Sequence, residues 1–387
     1  MDITLYPGKL SGAVTVPPSK SIAHRMLIYA ALADHPTDLV CPETGDDINA
    51  TIDCLQALGA DILLQKAGYH IVPIAQFPES ADLYCRESGS TLRFLLPIVG
   101  ALGVSATFHM EGRLPQRPLS PLIDEMQRMG CHITRPTNST IFCTGKLRCG
   151  YYQIDGSVSS QFISGLTMAL PLISGESHLE IIGNVESKPY IDMTTQIANL
   201  FTSIPSTPII VEGDWSNAAF WLAANALGSQ ISIDGIARTA MQGDQQIVTL
   251  LPKILHAHQE ISGKDIPDLI PILAVVAAAT NGATFTNISR LRTKESDRVA
   301  AIINMVCSLG GKAEATEDTL TIYATGLVGG TVDSYGDHRI AMSAAIAATV
   351  CSHPVTIQDS QCVKKSYPGF WQAYHHLSNH TDLQQKC

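Results

Sequence analysis

Six times along the chain a short polar stretch runs directly into a strongly apolar one. Ser19-Lys20-Ser21-Ile22-Ala23-His24-Arg25 opens onto residues 26–32, and Glu87-Ser88-Gly89-Ser90-Thr91 onto 92–96. Ser157-Val158-Ser159-Ser160-Gln161 leads into 162–172, and Gly213-Asp214-Trp215-Ser216 into 217–227. Asp265-Ile266-Pro267-Asp268 precedes 269–279, and Tyr335-Gly336-Asp337-His338-Arg339 precedes 340–350. A segment apolar on every side predicts a helix with no solvent face. Behind each comes a short β-like run and then an amphipathic helix, over 46–58, 119–129, 191–201, 242–255, 294–309 and 367–377. Gly59, Gly130 and Gly310 stand where the first, second and fifth of these should stop. One or two further β-rich stretches follow, such as 60–74 and 312–323.

The repeating unit therefore reads strand, buried helix, strand, amphipathic helix, strand, strand, with roughly 50–70 residues per unit, as stacked supersecondary repeats do. A helix buried on all sides must be surrounded, and bundles of three units do this with their strands and amphipathic helices. Six units divide into two domains of an α/β protein, 19–213 and 1–18 with 214–387, with breaks expected near 16–19 and 212–214. All six polar starts sit at helix N-termini, where unpaired N–H groups and the positive dipole end favour anions. Parallel buried helices pool those ends at one face of each domain, and two such faces across a cleft suit a strongly anionic ligand.

Charge strengthens that expectation. The 387 residues carry a formal charge of −10, so an anion must be held by a local basic cluster against the net field. The acidic balance argues against a general nucleic-acid binder. Lys20, Arg25, Arg93, Arg117, Lys294, Arg298, Arg339 and Lys365 recur in or beside loops at the dipole-positive ends. The 45% apolar content excludes disorder. The apolar runs 94–108 and 269–280 are shorter than a membrane span and carry Pro97 and Pro271. Residues 1–8 lack a signal-peptide pattern. Ten scattered cysteines form no Cys-x-x-Cys pair, and His256-Ala257-His258 lacks a third ligand. The expectation is a soluble cytoplasmic monomer without metal, cofactor, membrane or nucleic-acid partner.

Three sites keep two readings at this level. Ser159-Ser160-Gln161 serves as a helix cap or as a ligand site. Asp268 is a first-turn carboxylate or a base, and Glu295 is an ion-pair partner of Lys294 or Arg298 or an acid.

Nine segments in order resemble the enolpyruvyl transferase family, in its shikimate 3-phosphate-using branch. They are Pro18-Ser19-Lys20-Ser21-Ile22 with Arg25, Ser88-Gly89-Ser90-Thr91-Leu92-Arg93, Gln116-Arg117-Pro118, Ser159-Ser160-Gln161-Phe162, Glu186-Ser187-Lys188-Pro189-Tyr190-Ile191-Asp192, Asp265-Ile266-Pro267-Asp268, Arg292-Thr293-Lys294-Glu295-Ser296-Asp297-Arg298, Asp337-His338-Arg339-Ile340-Ala341-Met342 and Lys365-Ser366-Tyr367-Pro368. The resemblance implies an inside-out α/β barrel in two domains with the ligands in the cleft between them. It implies transfer of the enolpyruvyl group of phosphoenolpyruvate to the 5-hydroxyl of shikimate 3-phosphate, with release of phosphate. By the same resemblance Lys20, Ser21, Arg25, Ser159, Ser160, Gln161, Ser187, Asp268 and Lys294 hold shikimate 3-phosphate. Lys20, Gly89, Arg117, Gln161, Arg298, Arg339 and Lys365 surround phosphoenolpyruvate. Asp268 accepts the proton of the attacking hydroxyl, Glu295 protonates the methylene carbon, and Lys20 reaches both substrates. Gly89 further implies sensitivity to glyphosate, which takes the phosphoenolpyruvate position in this family.

The sister enzyme acting on UDP-N-acetylglucosamine usually carries a reactive Cys in the loop matching 112–117, and this loop has none. A non-catalytic phospho-metabolite sensor would be expected to lose Asp268 or Glu295, and both are present. Arg290 stands where many relatives carry Asn, and Glu87 and Ser90 where Asn and Thr are commoner.

Overall fold

The computed structural model describes residues 1–202, 208–237 and 241–384. The chain divides into two compact units, Pro18–Glu212 and Met1–Pro17 with Gly213–Cys387. The six apolar stretches form helices α1 (Lys20–Leu32), α3 (Gly89–Leu102), α5 (Ser160–Ala169), α7 (Trp215–Ala226), α9 (Ile270–Ala279) and α11 (His338–Ala348). The amphipathic stretches form α2 (Asp46–Ala57), α4 (Leu122–Arg128), α6 (Lys188–Leu200), α8 (Ile247–His256), α10 (Arg298–Ser308) and α12 (Phe370–Gln384).

Burial separates the two sets as the pattern requires. Every residue from Ile270 to Ala278 in α9 is buried, and every residue of α11. In α10 the buried positions are Arg298, Val299, Ala301, Ile302, Met305 and Val306, a single stripe. Helices thus occupy the interior of each unit and sheets lie outside them. A deletion such as Leu273→Ala in α9 should cost about 2–5 kcal/mol, because the packed interior cannot collapse around the void.

The polar starts act as caps. Ser88, Ser159, Asp214 and Asp337 accept backbone N–H bonds from Thr91, Gln161, Asn217 and Arg339 at the heads of α3, α5, α7 and α11. Gly59, Gly130 and Gly310 all have positive φ just past α2, α4 and α10, which closes those helices.

The sheets follow the repeat. Ser80–Arg86 pairs in parallel with Ser105–Met110, which pairs antiparallel with Thr140–Gly145 and through it with Cys131–Thr137. The same four-strand order, two parallel strands plus a hairpin, recurs around Thr37–Val40 and Ala283–Thr286. Three repeats lack the hairpin among the described residues, and in the last of them Ile3–Leu5 pairs antiparallel with Val355–Gln358 in its place. Gly150–Asp155 and Ser177–Ile182 form a two-stranded sheet, and so do Ser11–Thr15 and Gln230–Asp234. In the second of these two sheets, chain length is the reason: α8 ends at His256 and the next strand begins at Gln259, which leaves no room for two strands.

Several helix starts differ from the sequence expectation. The fourth helix begins at Leu122, because Pro118 and Pro121 keep 118–121 out of the helix. The tenth begins at Arg298 under the Asp297 cap, since Ser289–Thr293 winds into a 3₁₀ turn. The 242–255 segment opens as a 3₁₀ turn, Gly243–Gln246, before α8.

Candidate active site

In the unit Pro18–Glu212, the first turns of α1, α3 and α5 meet through hydroxyls and amides. His24 Nδ1, Thr51 Oγ1, Thr91 Oγ1 and Ser88 Oγ form a buried chain with steps of 2.7 Å. It ties α1 to α2 and α3. Gln161 bridges α5 to α3: its Oε1 accepts from Arg93 Nη1 at 2.7 Å, and its Nε2 donates to Ser90 Oγ at 2.9 Å. A Cβ on Gly165 would lie 2.3 Å from the Arg93 carbonyl oxygen, so a glycine there lets α5 approach α3.

Arg25 is buried and bonded to neutral groups. Its Nε donates to Thr194 Oγ1 at 2.7 Å, Nη1 to the Ser21 carbonyl at 2.7 Å, and Nη2 to Ser164 Oγ and the Tyr190 carbonyl. The guanidinium also stacks over Phe94, 4.8 Å from the ring centroid. Desolvation draws its pKa down to about 10, so the site retains a charge with no carboxylate on it. Lys20 pairs with Asp47 at 2.9 Å. Ser159 and Ser160 are buried at the head of α5, and buried Ser187 has a left-handed backbone (φ 52°) where α6 begins. Arg117 follows a 3₁₀ turn and lies over Gly89: a Cβ there would stand 2.8 Å from Arg117 Nη1 and 3.1 Å from Arg93 Nη1.

In the unit containing Gly213–Cys387, the cations are matched with carboxylates. Arg298, with no exposed side chain, donates from Nη1 to Asp268 at 2.9 Å, from Nη2 to Glu295 at 2.7 Å and from Nε to Asp337 at 3.0 Å. Arg339 Nη2 reaches the other Asp268 oxygen at 3.0 Å. Asp337 also accepts from Ser296 Oγ and from the Arg339 backbone, so one capping carboxylate orients both arginines. Lys365 Nζ donates to the Gly336 carbonyl at 2.9 Å, beside the head of α11.

Electrostatics follow from that packing. Desolvation acts to raise the Asp268 carboxyl, but Arg339, Lys294 and Arg298 outweigh it and hold the group far below the usual carboxylate range. Desolvation draws Lys294 down to about 7 against the pull of Asp268, and Arg290 and Arg298 add to the lowering. Arg290 therefore acts on the site through its charge near Lys294. Burial acts to lower Arg298, yet Asp337, Glu295 and Asp268 raise it, so it stays protonated.

Asp268, Glu295, Lys294, Arg298, Arg339 and Lys365 thus gather in one unit, and Lys20, Ser21, Arg25, Gly89, Arg117, Ser159, Ser160, Gln161 and Ser187 belong to the other. Three residues outside the set expected to bind substrate or catalyse join them; one, Arg93, is already among the helix-head cations. Arg93 binds Gln161, Asp337 orients Arg298, and Asp244 lies buried near Asp268. Asp337 had a signal, its place just before an apolar helix. Asp244 had none, because nothing local marks it. Among the described residues no group of His, Cys, Asp or Glu is arranged to hold a metal ion, and no helix is long and apolar enough to cross a membrane.

Comparison with known proteins gives a consistent pattern. The family model described as EPSP synthase (3-phosphoshikimate 1-carboxyvinyltransferase) matches residues 6–205 and 202–374. The 3-phosphoshikimate 1-carboxyvinyltransferase of Clostridium kluyveri is 35% identical, covering 98% of this chain and 98% of that protein. That of Clostridium beijerinckii is 36% identical, covering 97% of each. A solved structure of EPSP synthase from Acinetobacter baumannii superposes with a TM-score of 0.78 over 97% of this chain and 98% of that one, at 22% identity.

Proposed function

The chain belongs to the EPSP synthase (3-phosphoshikimate 1-carboxyvinyltransferase) family and its reaction is enolpyruvyl transfer; from that premise we propose how its own residues divide the work. Lys20, Ser21, Arg25, Ser159, Ser160, Gln161 and Ser187 bind shikimate 3-phosphate, with Lys294 and Asp268. Lys20, Gly89, Arg117, Gln161, Arg298, Arg339 and Lys365 bind phosphoenolpyruvate. Guanidinium groups suit this task because their planar donors match carboxylate and phosphate oxygens in pairs.

The observation that carries the proposal is a guanidinium shared by two carboxylates: Arg298 holds Asp268 on Nη1 and Glu295 on Nη2. Both carboxylates are partly exposed, at 18% and 22%, and so remain open to a substrate. Asp268, held ionised by its cations, accepts the proton of the 5-hydroxyl as that oxygen bonds to C2 of the enolpyruvyl group. Glu295 delivers a proton to C3. The Glu295 carboxylate then takes a proton back from C3, which restores the double bond as the C2–O bond to phosphate breaks, and cations stabilise the leaving group. Anionic substrates offset the field around Asp268 and make it a better base than it is in the empty site.

The reading needs one chain, two small-molecule substrates and no cofactor, and ten scattered cysteines without a Cys-x-x-Cys pair favour the cytoplasm as its compartment. A phosphate-release assay with each substrate omitted in turn tests it. Release is expected only when shikimate 3-phosphate and phosphoenolpyruvate are both present; release from phosphoenolpyruvate alone, or none with both, overturns it.

A further inference from the structure

The 3₁₀ turn Gly243–Gln246 has no part in the assignments above, yet it carries a buried carboxyl to the heads of the interior helices. Gln242 pins this turn to the start of α7, accepting from the Trp215 N–H at 2.9 Å and donating to the Gly213 carbonyl at 2.8 Å. Asp244, 2% exposed, then accepts a hydrogen bond on Oδ2 from Ser216 Oγ in the first turn of α7. Its other oxygen, Oδ1, is buried with no hydrogen-bond partner among the described residues. Among the described residues the charged groups facing Asp244 are Asp268 ahead of α9, Arg339 in the first turn of α11, and Asp214 at the cap of α7.

We propose that Asp244 is a positioning residue for enolpyruvyl transfer, a neutral carboxyl that acts through Arg339: while protonated it leaves the Arg339 charge to Asp268 and the anionic substrate, and once ionised it competes for that charge. The inference rests on the assignment of Asp268 and Arg339 made above. Burial supports it: an ionised Asp244 would leave a charged oxygen buried with no hydrogen-bond partner among the described residues. Burial and the nearby Asp268 push its pKa up to about 7, against the pull of Arg339 and the Ser216 bond. A plain structural role, accepting from Ser216, would be filled equally by an amide oxygen at any pH.

Steady-state phosphate release at saturating shikimate 3-phosphate, from pH 6 to 8.5, tests the proposal in wild type and Asp244→Asn. As pH rises through 7, the wild-type KM for phosphoenolpyruvate should climb about tenfold, the size of one extra charge competing for Arg339 across a few ångströms of protein. In Asp244→Asn that climb should vanish while phosphate release persists. Titration of the substrate phosphates and of Lys294 is common to both proteins and cancels in the comparison. Superimposable KM profiles overturn the proposal, as does loss of phosphate release in Asp244→Asn at unchanged Tm. If the variant does not fold, a ¹³C NMR titration of the Asp244 carboxyl in wild type decides: a pKa near 7 supports the role, and one below 5 overturns it. Absence of phosphate release in wild type would be a failure of the function reading, and the NMR titration would still test Asp244.

Discussion

The two units share a repeat and differ in what they do with buried arginine. In Pro18–Glu212, Arg25 rests on hydroxyls, carbonyls and an aromatic face, with no acidic side chain on it. In the other unit, Arg298 is closed in by Asp268, Glu295 and Asp337. A guanidinium on neutral partners keeps its field for an incoming anion. One ringed by carboxylates holds those carboxylates in place and in a defined protonation state. The first arrangement suits binding and the second suits proton transfer, so substitutions at Arg25 and Gly89 should move affinity and those at Asp268 and Glu295 turnover.

The largest effect should come from Asp268→Asn, which keeps the shape and removes the base. Turnover should fall by about 10³-fold, within the range for a positioned general base, with a smaller change in shikimate 3-phosphate affinity. The same change weakens charged hydrogen bonds to Arg298 and Arg339 and should lower stability by about 1.5–3 kcal/mol in denaturant titration. A variant that loses affinity alone would erase the contrast between the units.

Gly89→Ala probes the binding unit. The added methyl meets Arg117 Nη1 at 2.8 Å and must displace the guanidinium that we assign to phosphoenolpyruvate. Overpacking of this kind costs about 1–3 kcal/mol, or roughly 10- to 100-fold in an inhibition constant. The wild type should be glyphosate-sensitive, and the variant should lose inhibition more than it loses phosphoenolpyruvate use. Competition kinetics on both proteins check this, and equal losses would show the pocket is built differently.

The units should also respond oppositely to pH. Burial draws His24 down to about 3, against the pull of Asp47 and with Lys20 and Arg25 adding to the lowering. Its folded pKa lies below the unfolded one, so its contribution to stability is complete above about 6.5 and is lost as pH falls toward 3. Asp244 has a raised folded pKa, so its contribution is present below the unfolded carboxyl value and is lost as pH rises through 7. Between pH 7 and 4.5, hydrogen exchange corrected for intrinsic rate should show α1 losing protection relative to α7. His24→Gln should remove the acid-side loss.

The smallest effect expected is from Ser159→Ala, about 1 kcal/mol of stability through loss of the α5 cap, read by thermal unfolding. Weaker shikimate 3-phosphate binding on top of that would show the serine serving both as cap and as ligand.

Much of this organisation was legible in the sequence because burial on all sides leaves a compositional mark. α9 and α11 stand out as uninterrupted apolar runs, and their polar heads mark where ligand-binding side chains collect. Helix starts were less legible where proline or a 3₁₀ turn intervenes, as before α4, α8 and α10. The hairpin missing after α8 follows from a short connection, which a repeat read from its best copies conceals. The Ser159 cap is visible from local sequence, whereas the ring of carboxylates around Arg298 is not. Glu295 lies three residues from Arg298 and reads as its partner locally, but Asp268 and Asp337 lie 30 and 39 residues away, and only tertiary packing brings them to the same guanidinium. Asp244 is the extreme case, a single acidic residue in Gln242-Gly243-Asp244-Gln245 whose burial is decided by α7.

The most direct test of the division between binding and chemistry is Glu295→Gln, with kcat from phosphate release and the Kd of shikimate 3-phosphate from calorimetry on the same preparation. The amide keeps an oxygen for Arg298 and cannot deliver the proton to C3. The account predicts that kcat falls by about 10²-fold or more while Kd changes by much less. Turnover that survives while Kd rises would contradict it, making Glu295 a binding residue and leaving the acid to another group.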